Sequence, residues 1–161
     1  MAADRENVII AYDGSPAARH AIGAAAKLLG NCRILVATVW EAGLAYITPA
    51  APADPMMMMT PTVDPELAQD LDSQLHSQAE QVAHDGAKLA SSMGLDAEPV
   101  SLPDAGDIAH TIIDLARERH AAAIVVGSRG LSGLRARLEG STSKGLLAHA
   151  PCPVVVVHDS E

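Results

Sequence analysis

Residues 121–158 read AAAIVVGSRGLSGLRARLEGSTSKGLLAHAPCPVVVVH, and this stretch decides the fold. It opens with an apolar run, Ala121–Val126, that reads as a buried strand. It closes with a second run, Val154–Val157, behind Pro151 and Pro153. Between them lie Gly127, Gly130, Gly133 and Gly140, the last followed by Ser141, Thr142 and Ser143. A glycine directly after a buried strand lets the backbone turn sharply and approach a ligand, because no Cβ stands in the way. Small hydroxyl residues opening a helix present free backbone N–H groups and O–H donors, and the helix dipole adds positive potential. Together these features predict a phosphate site, and with it a nucleotide-binding α/β domain.

The rest of the chain agrees. Asn7–Tyr12 reads as a first strand, followed by Asp13-Gly14-Ser15-Pro16. Ser15 is placed to N-cap a helix and Pro16 suits its first position. Ala17–Leu29 has apolar residues at helical spacing, and Gly30-Asn31 stops it. Cys32–Trp40 is a second strand. From Pro65 to about Met93 a long helix is expected, with Leu67, Leu71, Leu75, Ala79, Val82, Ala83, Gly86, Leu89 and Ala90 on one stripe. Asp96–Leu102 is a short third strand, and Pro99 marks it as an edge. Gly106-Asp107 introduces a helix whose inward residues are Ile108, Ile112, Leu115 and Ala116, with Asp107 as its capping or first-turn acid. A last helix, Ser141 to about His149, precedes the fifth strand. Strands alternating with helices predict one domain over residues 1–161, a parallel sheet with right-handed crossovers. Asp13 then falls at the carboxyl end of the first strand, where open α/β sheets hold ligands. It is either a turn aspartate that caps the helix or a partner for a nucleotide's ribose or base.

Composition narrows the class. Of 161 residues, 48% are hydrophobic and 2% aromatic, with no Phe, so the core must be built from Val, Ile, Leu, Ala and Met. A formal net charge of −9 argues against nucleic acid or an anionic membrane as partner. It does not forbid a nucleotide, because a phosphate site made of backbone N–H groups needs little net positive charge. No run approaches transmembrane length and the N-terminus lacks a signal-peptide pattern, so a cytoplasmic setting is expected, with Cys32 and Cys152 as two buried thiols.

The spacing is more specific than any one glycine. Gly127, two residues, Gly130, nine residues, Gly140, then Ser141, with the strands on either side, resembles the ATP-binding signature of the universal stress protein family. Ile9–Ser15 resembles the family's V-x-x-D-G-S-like run, in which an Asp lies against the nucleotide. The resemblance covers nearly the whole chain and implies an open five-stranded Rossmann-like sheet of order 3-2-1-4-5, of the adenine nucleotide alpha hydrolase kind. It places Asp13 and Gly127 side by side at the switch point. It implies ATP with Mg²⁺ as ligand, Asp13 against the nucleotide, and main-chain groups near Val39 on adenine. The backbone of Gly127, Ser128, Arg129 and Gly130 would line the ribose and phosphates, and Gly140, Ser141, Thr142 and Ser143 would hold the β- and γ-phosphates. Arg129 is either a phosphate contact or a solvated loop charge. A homodimer through the exposed strand Val154–His158 is expected, and a regulatory role in the stress response.

Some features depart from that pattern or stay outside it. Glu139 stands before Gly140, where the family usually has an apolar residue; it points outward, helps hold Mg²⁺, or repels the phosphates. Residues 41–65 carry Pro49, Pro52, Pro55, Pro61 and Pro65 and the run Met56–Met59, a composition that reads as a long loop. There is no G-x-x-x-x-G-K-[ST], and no G-x-G-x-x-G follows the first strand. The seven histidines are scattered and expected at the surface. No nucleophile–base pair stands out, so at most slow ATP hydrolysis is expected. Two alternatives remain: an ATPase or nucleotidyl transferase of the same fold, with Asp13 or Glu139 as base, or an interaction module that binds no nucleotide.

Overall fold

A computed structural model describes residues 5–42, 65–104, 106–128 and 141–158. The proline- and methionine-rich stretch 43–64 and the glycine segment 129–140 lie outside the described residues. Five strands, β1 (Asn7–Ala11), β2 (Arg33–Trp40), β3 (Asp96–Pro103), β4 (Ala123–Gly127) and β5 (Val154–Val157), form one sheet. Its order is β3-β2-β1-β4-β5 and every pairing is parallel. Four helices, α1 (Pro16–Leu28), α2 (Pro65–Ser92), α3 (Ile108–Glu118) and α4 (Ser141–His149), alternate with the strands. The expected five-stranded order is therefore the one observed.

Strand periodicity sorts the core into two halves. Val8, Ile10, Ile34, Val36 and Val125 pack with Ala21, Ile22, Ala87 and Ala90 of α1 and α2. Ile9, Ala11, Leu35, Ala37, Ile124 and Val126 pack with Ile112, Ile113 and Ala116 of α3 and Leu146 of α4. Each interior strand is thus buried on both faces, the arrangement a parallel sheet requires, and reads as a continuous apolar run.

The caps follow the local chemistry. Ser15 N-caps α1, its hydroxyl accepting from the Ala18 N–H at 3.1 Å, with Pro16 at the first helical position. Asp107 caps α3 by accepting from the Ala109 N–H. These are the roles the sequence suggests for all three residues.

Helix α2 differs in part from its expected stripe. Its buried face from Ala79 onward is small: Ala79, Ala83, Gly86, Ala87 and Ala90. Leu67 and Leu71, placed on the same stripe by periodicity, are 67% and 39% exposed. Length explains this. Twenty-eight helical residues span about 42 Å, whereas the eight-residue strands beneath span roughly 26 Å. The first turns of α2 overhang the carboxyl edge of the sheet. Its small face brings the rest of the helix close. A Cβ on Gly86 would stand 2.7 Å from the Tyr12 ring and 2.8 Å from Val36 Cγ1.

The thiols are half-buried rather than fully buried, and free. Cys32 packs on the α1–α2 side and Cys152 on the α3–α4 side, so the sheet separates them. All seven histidines are exposed, as expected. No helix among the described residues is long and apolar enough to cross a membrane.

Two outcomes follow from this layout. Gly86→Ala is expected to cost about 1–3 kcal/mol in urea unfolding, because Tyr12 and Val36 are both anchored in the core. Burial pushes the Cys152 thiol up from its ordinary range, so it stays protonated at neutral pH. Mass spectrometry after iodoacetamide treatment should show it alkylated more slowly than a fully exposed cysteine.

Candidate functional site

Strand β1 pairs with β2 on one side and β4 on the other, so the connections leaving it and β4 diverge to opposite faces. The register sets the carboxyl ends level: Ala11 lies opposite Ala37, and Ile10 opposite Val125. A crevice at such a switch point is where open α/β sheets bind ligands. A narrow cleft of about 10 Å³ lies there, lined by Ala11, Asp13, Ser15, Ala17, Ala18, Val126 and Gly127, so a ligand at this edge would sit over it rather than within it. The cleft brings together Asp13 and Gly127, as the topology implies.

The Asp13 side of the cleft is held by short-range bonds. The Asp13 carboxylate accepts from the Ser15 N–H through Oδ1 at 2.9 Å. Gly14 sits between them at φ +80°, a conformation that strains any residue with a Cβ. The turn is also tied to β2. The Tyr12 N–H donates to the Ala37 carbonyl at 2.8 Å, and the Thr38 hydroxyl donates to the Tyr12 carbonyl at 2.9 Å. Thr38, at the end of β2 expected to face the ligand edge, is a buried positioning residue. Its only signal is a hydroxyl inside an otherwise apolar strand. Asp13 is thus a turn aspartate that holds the N-cap residue Ser15 in place, with one carboxylate oxygen, Oδ1, engaged.

Gly127 also serves a packing purpose that its place beside a ligand site does not announce. It does not follow the strand but ends it, opposite Val157. Its φ lies outside the left-handed region. What requires glycine is the first turn of α1: a Cβ would stand 2.9 Å from the Ala17 carbonyl oxygen and 3.2 Å from Ala17 Cβ. The residue lets the N-terminus of α1 settle on the end of β4. Ser128 is half-buried, and its N–H donates to the Val157 carbonyl at 2.7 Å. That leaves its hydroxyl and carbonyl for any other contact.

Val39, near the end of β2, packs partly buried against the α3–α4 half of the core. Next to it the Trp40 ring lies tilted against His76 of α2, ring centroids 5.3 Å apart, with its Nε1 buried and without a hydrogen-bond partner among the described residues. His76 in turn pairs with Glu80 at 3.4 Å. Because β4 and β5 are parallel, α4 must run back across the sheet, and its N-terminus falls at the same carboxyl edge. Within its first turn Thr142 is buried, Ser143 half-buried and Lys144 exposed. The first turn of α1 also opens onto this edge, so two helix N-termini with their positive dipole ends share it. Arg129, Gly130, Arg135, Arg137, Glu139 and Gly140 lie outside the described residues, as does the side chain of Ser141. Among the described residues no group of three or more His, Cys, Asp or Glu is placed to hold a metal ion.

Comparison with known proteins agrees with this geometry. The model of the Universal stress protein family matches residues 4–158. The chain is 25% identical over 150 residues to the Universal stress protein YxiE of Bacillus subtilis, covering 93% of this chain and 97% of that one. Among solved structures, Universal stress protein UspA from Lactobacillus plantarum superposes with a TM-score of 0.69 at 23% identity, covering 96% and 99% of the two chains. A universal stress protein described in complex with cAMP gives a TM-score of 0.65 at 20% identity, covering 98% and 100%. With a switch-point cleft, the 3-2-1-4-5 sheet and a family match running almost end to end, the chain belongs to the universal stress protein family.

Proposed function

We propose that this protein binds an adenine nucleotide, ATP with Mg²⁺ foremost, over the crevice between β1 and β4, and acts as a nucleotide-dependent regulatory module in the stress response. The observation that carries the reading is the shared cleft of Asp13 and Gly127 at an edge where two helix N-termini converge. Solved family members described with cAMP, AMP and dAMP support adenine as the base. In this reading the second carboxylate oxygen of Asp13 accepts from a ribose hydroxyl, and main-chain groups of Val39 meet the adenine edge. Gly127–Gly130 line the ribose and phosphates, and the N–H groups of Gly140–Ser143 hold the outer phosphates. Mg²⁺ arrives on the phosphates. Asp13 is the one carboxylate lining the cleft among the described residues, and one of its oxygens is already engaged. With so little to activate water, hydrolysis is at most slow. Two free cysteines fit a reducing, cytoplasmic setting.

Self-association belongs to the same reading. Strand β5 is an edge of the sheet. The carbonyls of Pro153 and Val157 accept from Ile124 and Ser128 of the neighbouring β4 segment. N–H and C=O of one residue point to the same side of a strand and alternate along it, so Val154 and Val156 present theirs outward. A second copy pairing there gives a homodimer.

Calorimetric titration with Mg-ATP tests the site. Wild type is expected to bind, Asp13→Ala to lose roughly tenfold, about one hydrogen bond's worth, and the Gly140→Ala, Ser141→Ala double variant to lose most of the affinity. Absence of binding in the wild type would sink the proposal. For the dimer, sedimentation at micromolar concentration is expected to give twice the chain mass. Val156→Pro, which removes an outward donor, should shift the protein to monomer.

A further inference from the structure

The opposite edge of the sheet differs in kind from β5. The Asp104 N–H donates to the Trp40 carbonyl at 2.7 Å, which continues the β2–β3 ladder past Pro103. Even-numbered residues of β3 therefore turn their backbone groups toward β2. By the same alternation Ala97, Pro99, Ser101 and Pro103 turn theirs outward. The bond from Tyr12 to the Ala37 carbonyl fits this parity, since odd residues of β2 face β1 and even ones face β3. Both prolines of the strand thus fall where an incoming strand needs donors. Each lacks an N–H and puts a ring methylene in its place. Only Ala97 and Ser101 keep an outward donor.

Among the described residues no element pairs with that edge along its middle. Pro99 is exposed. An open groove of about 380 Å³ runs along the outer side of the α2–β3 seam, lined by Ser77, Glu80, Gln81, His84, Pro99 and Ser101. An eight-residue edge strand beside an open groove is the kind of template that recruits other chains. On the β5 side, Val154 and Val156 both keep their donors.

We propose that Pro99 and Pro103 close the β3 edge to strand addition, so that self-association through the sheet uses the β5 edge alone and stops at two copies. The limit of two rests on the dimer reading above; the closure of β3 does not. A sheet open at both edges forms a heterologous, non-closing contact and grows, whereas one open at a single edge forms an isologous pair and ends.

The test compares the wild type with the Pro99→Val, Pro103→Val double variant by sedimentation velocity across a concentration series. Circular dichroism and thermal unfolding establish that both are folded. The variant is expected to gain weight-average mass with concentration, reaching at least about twice the wild-type value. A folded variant that keeps the wild-type mass throughout overturns the proposal. If the wild type is a monomer, the dimer reading fails, but a variant that then associates still upholds closure. Should the double variant misfold, Pro103→Val alone, at the last residue of the strand, is read in the same way.

Discussion

The double pairing of β1, with β2 at Ile9–Leu35 and with β4 at Ile9–Ile124, is the constraint on which the rest depends. A parallel strand with parallel neighbours on both sides must be reached by crossovers, and the hand of those crossovers is fixed. The connection from β1 goes to one face and that from β4 to the other. The gap between them cannot be filled by either helix. The cleft at Asp13 and Gly127 is therefore a product of topology before it is a product of particular side chains. Those side chains refine it: Thr38 ties the Asp13 turn to β2, and Gly127 lets α1 sit down on β4.

A second constraint is the near absence of aromatic residues, 2% of the chain with no Phe. Without large rings, close-packed density has to come from short distances between backbones. The contact faces answer this. Helix α2 meets the sheet through alanines and Gly86, and Gly145 of α4 lies where a Cβ would stand 2.9 Å from Ala109 Cβ on α3. Substitutions that add a single methyl at these seams press on neighbours with no room to yield.

Much of this was legible in the sequence. The strand order followed from alternation and resemblance, Pro99 marked an edge, and Ser15 and Asp107 announced their caps, because each signal is local and chemically exclusive. The juxtaposition of Asp13 and Gly127 followed instead from the strand order that the resemblance implies, not from a local signal. Other features were hidden in principle. Periodicity shows which face of a helix is apolar but not how far the strands beneath it extend, so Leu67 and Leu71 were placed on a buried stripe that overhangs the sheet. A glycine needed for contact with Ala17 spells the same letter as one needed for a turn, so the packing role of Gly127 leaves no separate mark in the sequence. Main-chain roles, such as the Ser128 N–H bound to Val157, leave no trace in side-chain identity.

The contact of Trp40 with His76 has a spectroscopic consequence. Trp40 is the chain's single tryptophan, so its emission comes from one place. That place is the end of β2, one residue beyond Val39, with an imidazole against the ring and, among the described residues, no partner on the indole nitrogen. The emission of an indole follows its surroundings, and here the ring is half-buried against an imidazole. The native protein carries a built-in optical probe at the carboxyl edge of its sheet, sensitive to whatever settles beside Val39. It needs no label and no second tryptophan to be silenced.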